Sequence, residues 1–124
     1  MLEAILDTNF LMLAYQFKVD IFSGLSELLG GYRAVTCKGV VSELRKLGSR
    51  KGNDAAAARY ALRLIRLSGV EVKDNTEDVD EWIVRYCKMN GATACTVDKE
   101  LRDKLKKEGV KVVILRGKSH LQVV

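Results

Sequence analysis

Four acidic residues lie where the pattern of the chain could bring carboxylates together in one cleft. They are Asp7, Glu43, Asp80 and Asp98. Asp7 directly follows the short apolar segment Leu2–Leu6, and Asp98 directly follows the apolar segment Ala92–Val97. If these segments form neighbouring parallel strands, Asp7 and Asp98 leave the sheet at the same edge, where ligands of open α/β sheets bind.

Helical geometry places the other two carboxylates on the borders of buried faces. At about 100° per residue, Glu43 lies about 60° to one side of Val40, which marks the apolar stripe of its helix. On a second helix, Asp80 lies about 100° and Glu81 about 200° from Val79, which marks the apolar stripe there. We therefore expect Asp80 at the boundary of the buried face and Glu81 in solvent. All four carboxylates can then line one cleft.

Such a cleft requires a cation, because four neighbouring carboxylates repel one another and at least one would have to take up a proton. Mg²⁺ or Mn²⁺ resolves this repulsion, since hard divalent ions prefer carboxylate and water oxygens. Zinc is disfavoured because the chain has one histidine, His120, and no CxxC pair. Ions of this kind bridge carboxylates to phosphate oxygens and activate water, so the predicted chemistry is phosphodiester hydrolysis.

Each acidic residue also has a purely structural interpretation. Asp98 can cap the helix that follows it, and Asp80 can complement a helix dipole from the first turn. Glu43 can be a solvated helix charge, and Asp7 can form a turn. Two small polar residues beside the acids either orient carboxylates and water or simply close turns: Asn9 and Thr96.

The chain is basic, which suits an anionic partner such as nucleic acid. Its 21 Lys and Arg residues outnumber 16 Asp and Glu residues, which leaves a net charge of +5. One basic group surrounds a loop and continues on the next helix, and its members are candidates for binding the phosphate backbone of a nucleic acid: Arg45, Lys46, Arg50, Lys51, Arg59 and Arg63. A solvated helix face is the alternative. A second group is assigned to solubility: Lys104, Lys106, Lys107 and Lys111.

Length and composition predict one folded domain over residues 1–124. The chain has 124 residues, 48% of them apolar, which is enough for a hydrophobic core and argues against disorder. Its longest apolar run, Phe10 to Tyr15, has six residues, whereas a membrane span needs roughly 18. No secretory signal is visible, so we expect a cytoplasmic protein. The three cysteines are expected to be buried free thiols: Cys37, Cys87 and Cys95.

Strands alternate with helices along the chain, which predicts an α/β fold with a mostly parallel sheet of about five strands. The predicted strands are Leu2–Leu6, Tyr32–Thr36, Val70–Lys73, Ala92–Val97 and Lys111–Leu115. The predicted helices are Asn9–Phe17, Asp20–Leu29, Val40–Leu47, Asp54–Leu67, one from Thr76–Asp80 to Met89, and Lys99–Lys107. The first helix is apolar nearly all round, which predicts a core helix or, alternatively, a homodimer contact.

Four short segments, in order along the chain, resemble the motifs of PIN-domain ribonucleases. They are Ile5–Leu11, Val40–Leu44, Val79–Ile83 and Thr96–Leu101. The ending Ile114–Leu121 is most similar to archaeal PIN proteins related to nucleases of small-subunit rRNA processing, and VapC toxins are near relatives. The resemblance implies a three-layer α/β/α sandwich and an endoribonuclease dependent on Mg²⁺ or Mn²⁺. It also implies the metal ligands Asp7, Glu43, Asp80 and Asp98.

Three positions depart from the family pattern. Gly39 stands where a proline often precedes the second motif, and Val97 replaces the usual Asn or Arg before the last aspartate. Glu81 replaces the second residue of an Asp-Asp pair, which leaves either Asp80 or Glu81 as the ligand.

Three functions follow as hypotheses from the acidic set and the resemblance. The first is an RNA-processing endoribonuclease, with RNA as substrate and a pre-ribosomal partner. The second is a VapC-type toxin ribonuclease paired with an antitoxin. The third is a non-enzymatic PIN module that binds RNA or pre-ribosomal proteins with weak or no turnover, for which the missing Asn before Asp98 is the only support in the sequence.

Overall fold

The computed structural model describes residues 1–124 and contains six strands and six helices. The strands are β1 (Leu2–Leu6), β2 (Tyr32–Cys37), β3 (Glu71–Lys73), β4 (Thr93–Cys95), β5 (Val112–Arg116) and β6 (His120–Val123). The helices are α1 (Thr8–Gln16), α2 (Ile21–Leu29), α3 (Lys38–Gly48), α4 (Asn53–Leu67), α5 (Val79–Asn90) and α6 (Lys99–Lys107). The predicted alternation of strands and helices is confirmed.

All six strands form one sheet in the order β3-β2-β1-β4-β5-β6. The first five strands are parallel to one another, and β1 lies between β2 and β4. The strands that precede Asp7 and Asp98 are therefore neighbours, as the proposed convergence of these two residues requires. In the β1–β4 register Leu6 lies opposite Cys95, so both strands end at the same level.

The sixth strand, β6, was not predicted, and it pairs antiparallel with β5. The chain reverses direction after Gly117, whose φ of 64° lies in the left-handed region that glycine adopts readily. In β6 only alternate residues are partly buried, with Leu121 opposite Leu115. A four-residue edge strand with one half-buried face has too short an apolar pattern to stand out in the sequence.

The helices divide into two layers, one on each face of the sheet. Connections between parallel strands are right-handed, so a chain that moves from β1 to β3 in one direction lays its helices on one face. The return to β4 and β5 lays the next helices on the other face. The packing agrees, because α1, α3 and α4 contact one another whereas α5 contacts α6. The direction reverses between β1 and β4, which makes their carboxyl ends the switch point where ligands bind.

The apolar character of α1 is explained by the protein's own core. Phe10, Leu11, Met12 and Leu13 are buried in a cluster of 30 residues that includes the fully buried residues of β1. Three alanines of α4 are fully buried, and their small size lets α4 pack closely against α1 and α3: Ala57, Ala58 and Ala61. Two large apolar side chains remain exposed in this region: Tyr15 in the last turn of α1 and Phe17 directly after the helix.

The remaining expectations about the core concern cysteines and membranes. All three cysteines are buried free thiols, as predicted. Among the helices, none combines the length and apolar composition needed to cross a lipid bilayer.

Candidate active site

Asp7 is the most constrained carboxylate of the switch point. Its backbone N–H donates to the carbonyl of Cys95 over 3.0 Å, which holds the end of β1 against β4. One carboxylate oxygen, Oδ1, accepts the N–H of Thr8 at 2.8 Å and caps α1. The other, Oδ2, accepts the hydroxyl of Thr96 at 2.7 Å. Asp7 is thus buried with both oxygens oriented by neighbouring strands and helices.

Burial raises the pKa of Asp7 from its ordinary value of 3.8 to about 6. Removal of water is the largest cause, because it destabilises the charged form. The hydrogen bonds from Thr96 and Thr8 lower the pKa and so oppose this effect, whereas the negative charges of Asp80 and Glu43 raise it further. Asp7 is therefore an under-stabilised negative charge with two other carboxylates near it.

Glu43 is linked to Asp7 through Thr8. Helix α3 begins directly after β2, at the same edge of the sheet, and carries Glu43 one and a half turns along. The hydroxyl of Thr8 donates to Oε2 of Glu43 over 3.3 Å, while the N–H of Thr8 caps α1 on Asp7. Glu43 is exposed, so it is more open to solvent than the helical wheel predicts. Partial desolvation of its carboxylate still raises its pKa, as does the charge of Asp80, whereas Thr8 and Lys46 lower it. Thr8 therefore connects two of the candidate carboxylates.

Asp80 lies in the first turn of α5, which is capped by Asp78. The cap is a hydrogen bond of 2.8 Å from the N–H of Glu81 to Oδ1 of Asp78. Asp80 is partly buried and Glu81 is exposed, as the helical wheel predicts. Desolvation raises the pKa of Asp80, and the charge of Asp98 raises it further.

Asp98, the fourth acid, lies in the connection between β4 and α6. Its Oδ1 accepts the N–H groups of Glu100 and Leu101 at 2.8 and 3.1 Å, so it caps α6, the structural role that the sequence left open. Its own N–H donates to the hydroxyl of Thr96 over 3.1 Å, which is the hydroxyl that also binds Asp7. Thr96 is fully buried between the two aspartates and fixes their relative position.

Asn9 secures the same loop from α1. Its Oδ1 accepts the N–H of Val97 at 3.2 Å and the hydroxyl of Thr96 at 3.4 Å. The sequence left two roles open for Asn9 and Thr96, turn closure and carboxylate orientation, and their hydrogen bonds are consistent with both. The hydrogen bonds close the β4–α6 connection and orient Asp7.

The four carboxylates are connected electrostatically but not neutralised. Asp7 is influenced by Glu43 and Asp80, and Asp80 by Asp98. The five ion pairs of the protein all lie elsewhere. No three His, Cys, Asp or Glu side chains are grouped as a ready-made metal cage. Mg²⁺ usually keeps several waters and binds one or two carboxylates plus substrate phosphates, so an all-oxygen, open site fits such an ion.

The basic candidates divide according to their contacts. Arg59 is engaged within the protein, because its Nη1 donates to the carbonyls of Gly48 and Arg50 at 2.7 and 3.4 Å. It therefore anchors the loop between α3 and α4. Arg59 is exposed as well, but the side chains of the other five members of the group donate no hydrogen bond within the protein: Arg45, Lys46, Arg50, Lys51 and Arg63. Lys46 is near enough to the site to act on Glu43.

Sequence reasoning missed the contact that joins α3 to α5. The N–H of Gly39 donates to Oδ1 of Asn75 over 2.9 Å, and Nδ2 of Asn75 donates to the carbonyl of Glu77 over 2.8 Å. A Cβ at position 39 would lie 2.7 Å from Cγ2 of Val79. This contact explains the departure at position 39, because proline has no N–H and there is no room for its ring. In the sequence, Gly39 was the only residue that could have indicated this contact.

The fold is a three-layer α/β/α sandwich, and the comparisons assign the family. Residues 4–118 match the profile of the PIN like domain, and the chain belongs to this family. It is 36% identical to Ribonuclease VapC9 of Archaeoglobus fulgidus, over 91% of this chain and 82% of the relative. It is 30% identical to Ribonuclease VapC4 of Methanocaldococcus jannaschii, over 99% of this chain and 97% of the relative.

Solved structures agree with this assignment. The PIN domain endonuclease Utp24 superposes with a TM-score of 0.81 at 27% identity, covering 98% of this chain and 90% of that chain. VapBC2 from Rickettsia felis, solved with a DNA fragment from the promoter, superposes with a TM-score of 0.65 at 17% identity. It covers 93% of this chain and 100% of that chain, and the likeness concerns the fold. The three-layer α/β/α architecture is thus that of PIN domains, with six strands instead of about five.

Proposed function

We propose that this protein is an endoribonuclease that uses Mg²⁺ or Mn²⁺ to hydrolyse RNA phosphodiester bonds, acting in RNA processing in the cytoplasm. The observation that carries the proposal is that four carboxylates without an ion-pair partner lie at the carboxyl edge of the sheet. There the charges of Glu43 and Asp80 raise the pKa of Asp7, and the charge of Asp98 raises the pKa of Asp80. Ribonuclease relatives that span nearly the whole chain support the same reaction.

The proposed ligands are Asp7, Glu43, Asp80 and Asp98, with Asn9, Thr96 and Glu81 in supporting positions. Asp7 is held by Thr96 and Thr8, so its oxygens need not reorganise when a cation binds. Asp98 uses only Oδ1 for its helix cap, which leaves Oδ2 for a ligand or its water. When bound, a divalent ion would activate water and stabilise the leaving oxygen.

The positive rim would hold the RNA backbone while the acidic cleft holds the cation. Exposed cations of α3 and of the α3–α4 loop would contact phosphates next to the site. Because aromatic residues do not interleave with them, the binding is expected to depend on the backbone and not on base stacking.

The test is cleavage of a structured RNA by the purified protein with Mn²⁺ and with Mg²⁺. We expect cleavage by the wild-type chain and its loss in Asp7→Asn and in the presence of a chelator. Circular dichroism must show that Asp7→Asn is folded. Cleavage that survives both the substitution and the chelator would contradict the proposal. A folded protein that shows no heat with Mn²⁺ in calorimetry and binds RNA without cleaving it would favour the non-enzymatic PIN module.

A toxin role is the second candidate, because both curated relatives are VapC ribonucleases that align with most of the chain. As a toxin, the protein would bind an antitoxin. As a processing enzyme, it would bind a pre-ribosomal partner. Both candidate functions are compatible with a homodimer. Induced expression separates the two roles. Growth arrest that Asp7→Asn abolishes, together with a neighbouring gene whose product relieves the arrest, favours the toxin. Unaffected growth favours processing.

A further inference from the structure

A groove between α5 and α6 extends away from the acidic site. Its volume is about 530 Å³, and it begins at Asp80 and Glu81 in the first turn of α5. Both helices begin at the carboxyl edge of the sheet, since each follows a parallel strand, and both run back along the same face. A ligand that enters at the acidic site can therefore continue into the groove without leaving the protein surface.

The groove contains two lysines that are free to bind an anion. Lys104 and Lys107 line it and belong to none of the ion pairs of the protein. The other two cations of the groove are engaged. Lys88 pairs with Glu108 over 2.9 Å, and Arg85 pairs with Glu77 over 2.7 Å.

The two free lysines complete a positive flank on the second side of the site. On the first side, Lys46 follows Glu43 by three residues in α3, so both lie on the same face of that helix. On the second side, Lys104 and Asp80 line the same groove. An acidic centre between two lysine flanks suits a polyanion that crosses the site, since the flanks bind phosphates on both sides of the reacting one.

We propose that the α5–α6 groove binds a single-stranded segment of the RNA substrate on one side of the cleaved bond, with Lys104 and Lys107 contacting its phosphates. This inference rests on the proposed function, because it takes the acidic site as the place of cleavage. The apolar side chains of Val84 and Met89 line the groove and contact ribose or base without sequence preference. A groove of this volume has the size of a small-molecule pocket and suits about one or two nucleotides of a single strand.

The test compares two double variants that remove the same charge. Lys104→Ala/Lys107→Ala removes the groove lysines, and Lys106→Ala/Lys111→Ala removes two neighbouring exposed lysines that do not line the groove. Binding of a short fluorescein-labelled single-stranded RNA is measured by anisotropy in EDTA at several salt concentrations. Metal-dependent cleavage of this RNA and of the structured RNA used to test the proposed function is measured in parallel with the wild-type chain.

We expect the groove variant to bind the RNA about tenfold more weakly at low salt. The slope of the logarithm of the binding constant against the logarithm of the salt concentration should be shallower by about 1.4, since each phosphate contact contributes roughly 0.7 for single strands. The control variant should retain near wild-type values. Equal losses in both variants, or no measurable RNA binding by the wild-type chain, would overturn the inference. If the wild-type chain cleaves RNA but both variants lose RNA binding equally, only the groove inference is contradicted and the nuclease proposal stands. Groove-dependent binding without any cleavage contradicts the nuclease proposal and leaves the RNA groove in place.

Discussion

At the scale of single residues, the protein keeps a buried carboxylate that it does not neutralise. Asp7 receives hydrogen bonds from Thr8 and Thr96 but has no basic partner. Desolvation still dominates, which is why its pKa rises to about 6. A charge held in this way costs stability in the metal-free protein and gives a cation a site to bind, which is a common compromise at functional sites.

We expect Asp7→Asn to stabilise the metal-free protein at neutral pH. The pKa of Asp7 is higher in the folded chain, about 6, than the ordinary value of 3.8. The folded state therefore holds this proton more tightly, and its stability falls as the pH rises from about 4 to about 6. Asparagine removes the charge and keeps an oxygen for the helix cap. The free energy of unfolding should exceed that of the wild type by about 2–3 kcal/mol at pH 7 and by little at pH 4.

The measurement for Asp7→Asn is urea unfolding in EDTA at several pH values, followed by a Mn²⁺ titration. Added Mn²⁺ should raise the midpoint of the wild type and not that of the variant, because ligands that bind the folded state stabilise it. If Asp7→Asn is less stable than the wild type at pH 7 in EDTA, the buried charge of Asp7 does not destabilise the metal-free protein.

Asp80 and Glu81 offer a test of which neighbouring acid binds the ion. Asp80 is partly buried and lies near Asp98, whereas Glu81 points into solvent. Asp80→Asn should weaken Mn²⁺ binding by on the order of tenfold, which corresponds to about 1.4 kcal/mol of lost attraction. Glu81→Gln, the matched control, should bind Mn²⁺ like the wild type in calorimetry. The reverse order of effects would assign the ligand role to Glu81.

At the scale of elements, one asparagine determines how α3 and α5 meet. Asn75 binds the first turn of α3 through Gly39 and the entry to α5 through the carbonyl of Glu77. These two helices carry Glu43 and Asp80, so we expect this contact to influence the spacing of the two carboxylates. Glycine at 39 is required by the close approach of Val79, which leaves no space for a Cβ.

We expect Asn75→Ala to affect both stability and metal binding. The substitution leaves the N–H of Gly39 and the carbonyl of Glu77 without this partner, at a cost of about 1–3 kcal/mol in the free energy of unfolding. Mn²⁺ affinity should fall because α5 is no longer held against α3. Asn90→Ala is the matched control, since Nδ2 of Asn90 donates to the carbonyl of Tyr86 at the opposite end of α5. If both variants bind Mn²⁺ equally well in calorimetry, Asn75 does not position the site.

At the scale of the whole molecule, β6 attaches the last segment of the chain to α2. Leu121 of β6 packs beside Gly24 of α2, where an added Cβ would lie 2.7 Å from Cδ1 of Leu121. The strand also covers the edge of β5 and engages Arg116 through the side chain of Gln122 at 2.7 Å. The antiparallel strand thus ends the sheet and joins it to one helical layer.

We expect Leu121→Ala to lower the free energy of unfolding by about 1–3 kcal/mol, because a partly buried apolar side chain is removed. Gln122→Ala, on the exposed side of the same strand, should change it by about 0.5 kcal/mol or less. Urea denaturation of both variants provides the comparison. Neither substitution lies at the acidic site, so RNA cleavage should be unchanged at temperatures where both proteins are folded. Equal stability of the two variants would mean that β6 does not contribute to the packing.

Local patterns in the sequence were sufficient for most elements and for the nomination of the acids. The spacing of apolar residues predicted the helices and the first five strands to within a few residues, because a helix or a buried strand imposes its own periodicity. The helical wheel alone distinguished the partly buried Asp80 from the exposed Glu81. The motifs also predicted the three-layer fold that the comparisons support.

The tertiary structure decided which distant residues meet. The strand order that places β1 beside β4 determines that Asp7 and Asp98 share Thr96. Gly39 binds Asn75, and Arg59 binds carbonyls of the α3–α4 loop. Both contacts join residues of different segments that are well separated in the sequence. Periodicity reports whether a residue faces the core, but hydrogen bonds between elements depend on the crossing of strands and helices, which no local pattern contains.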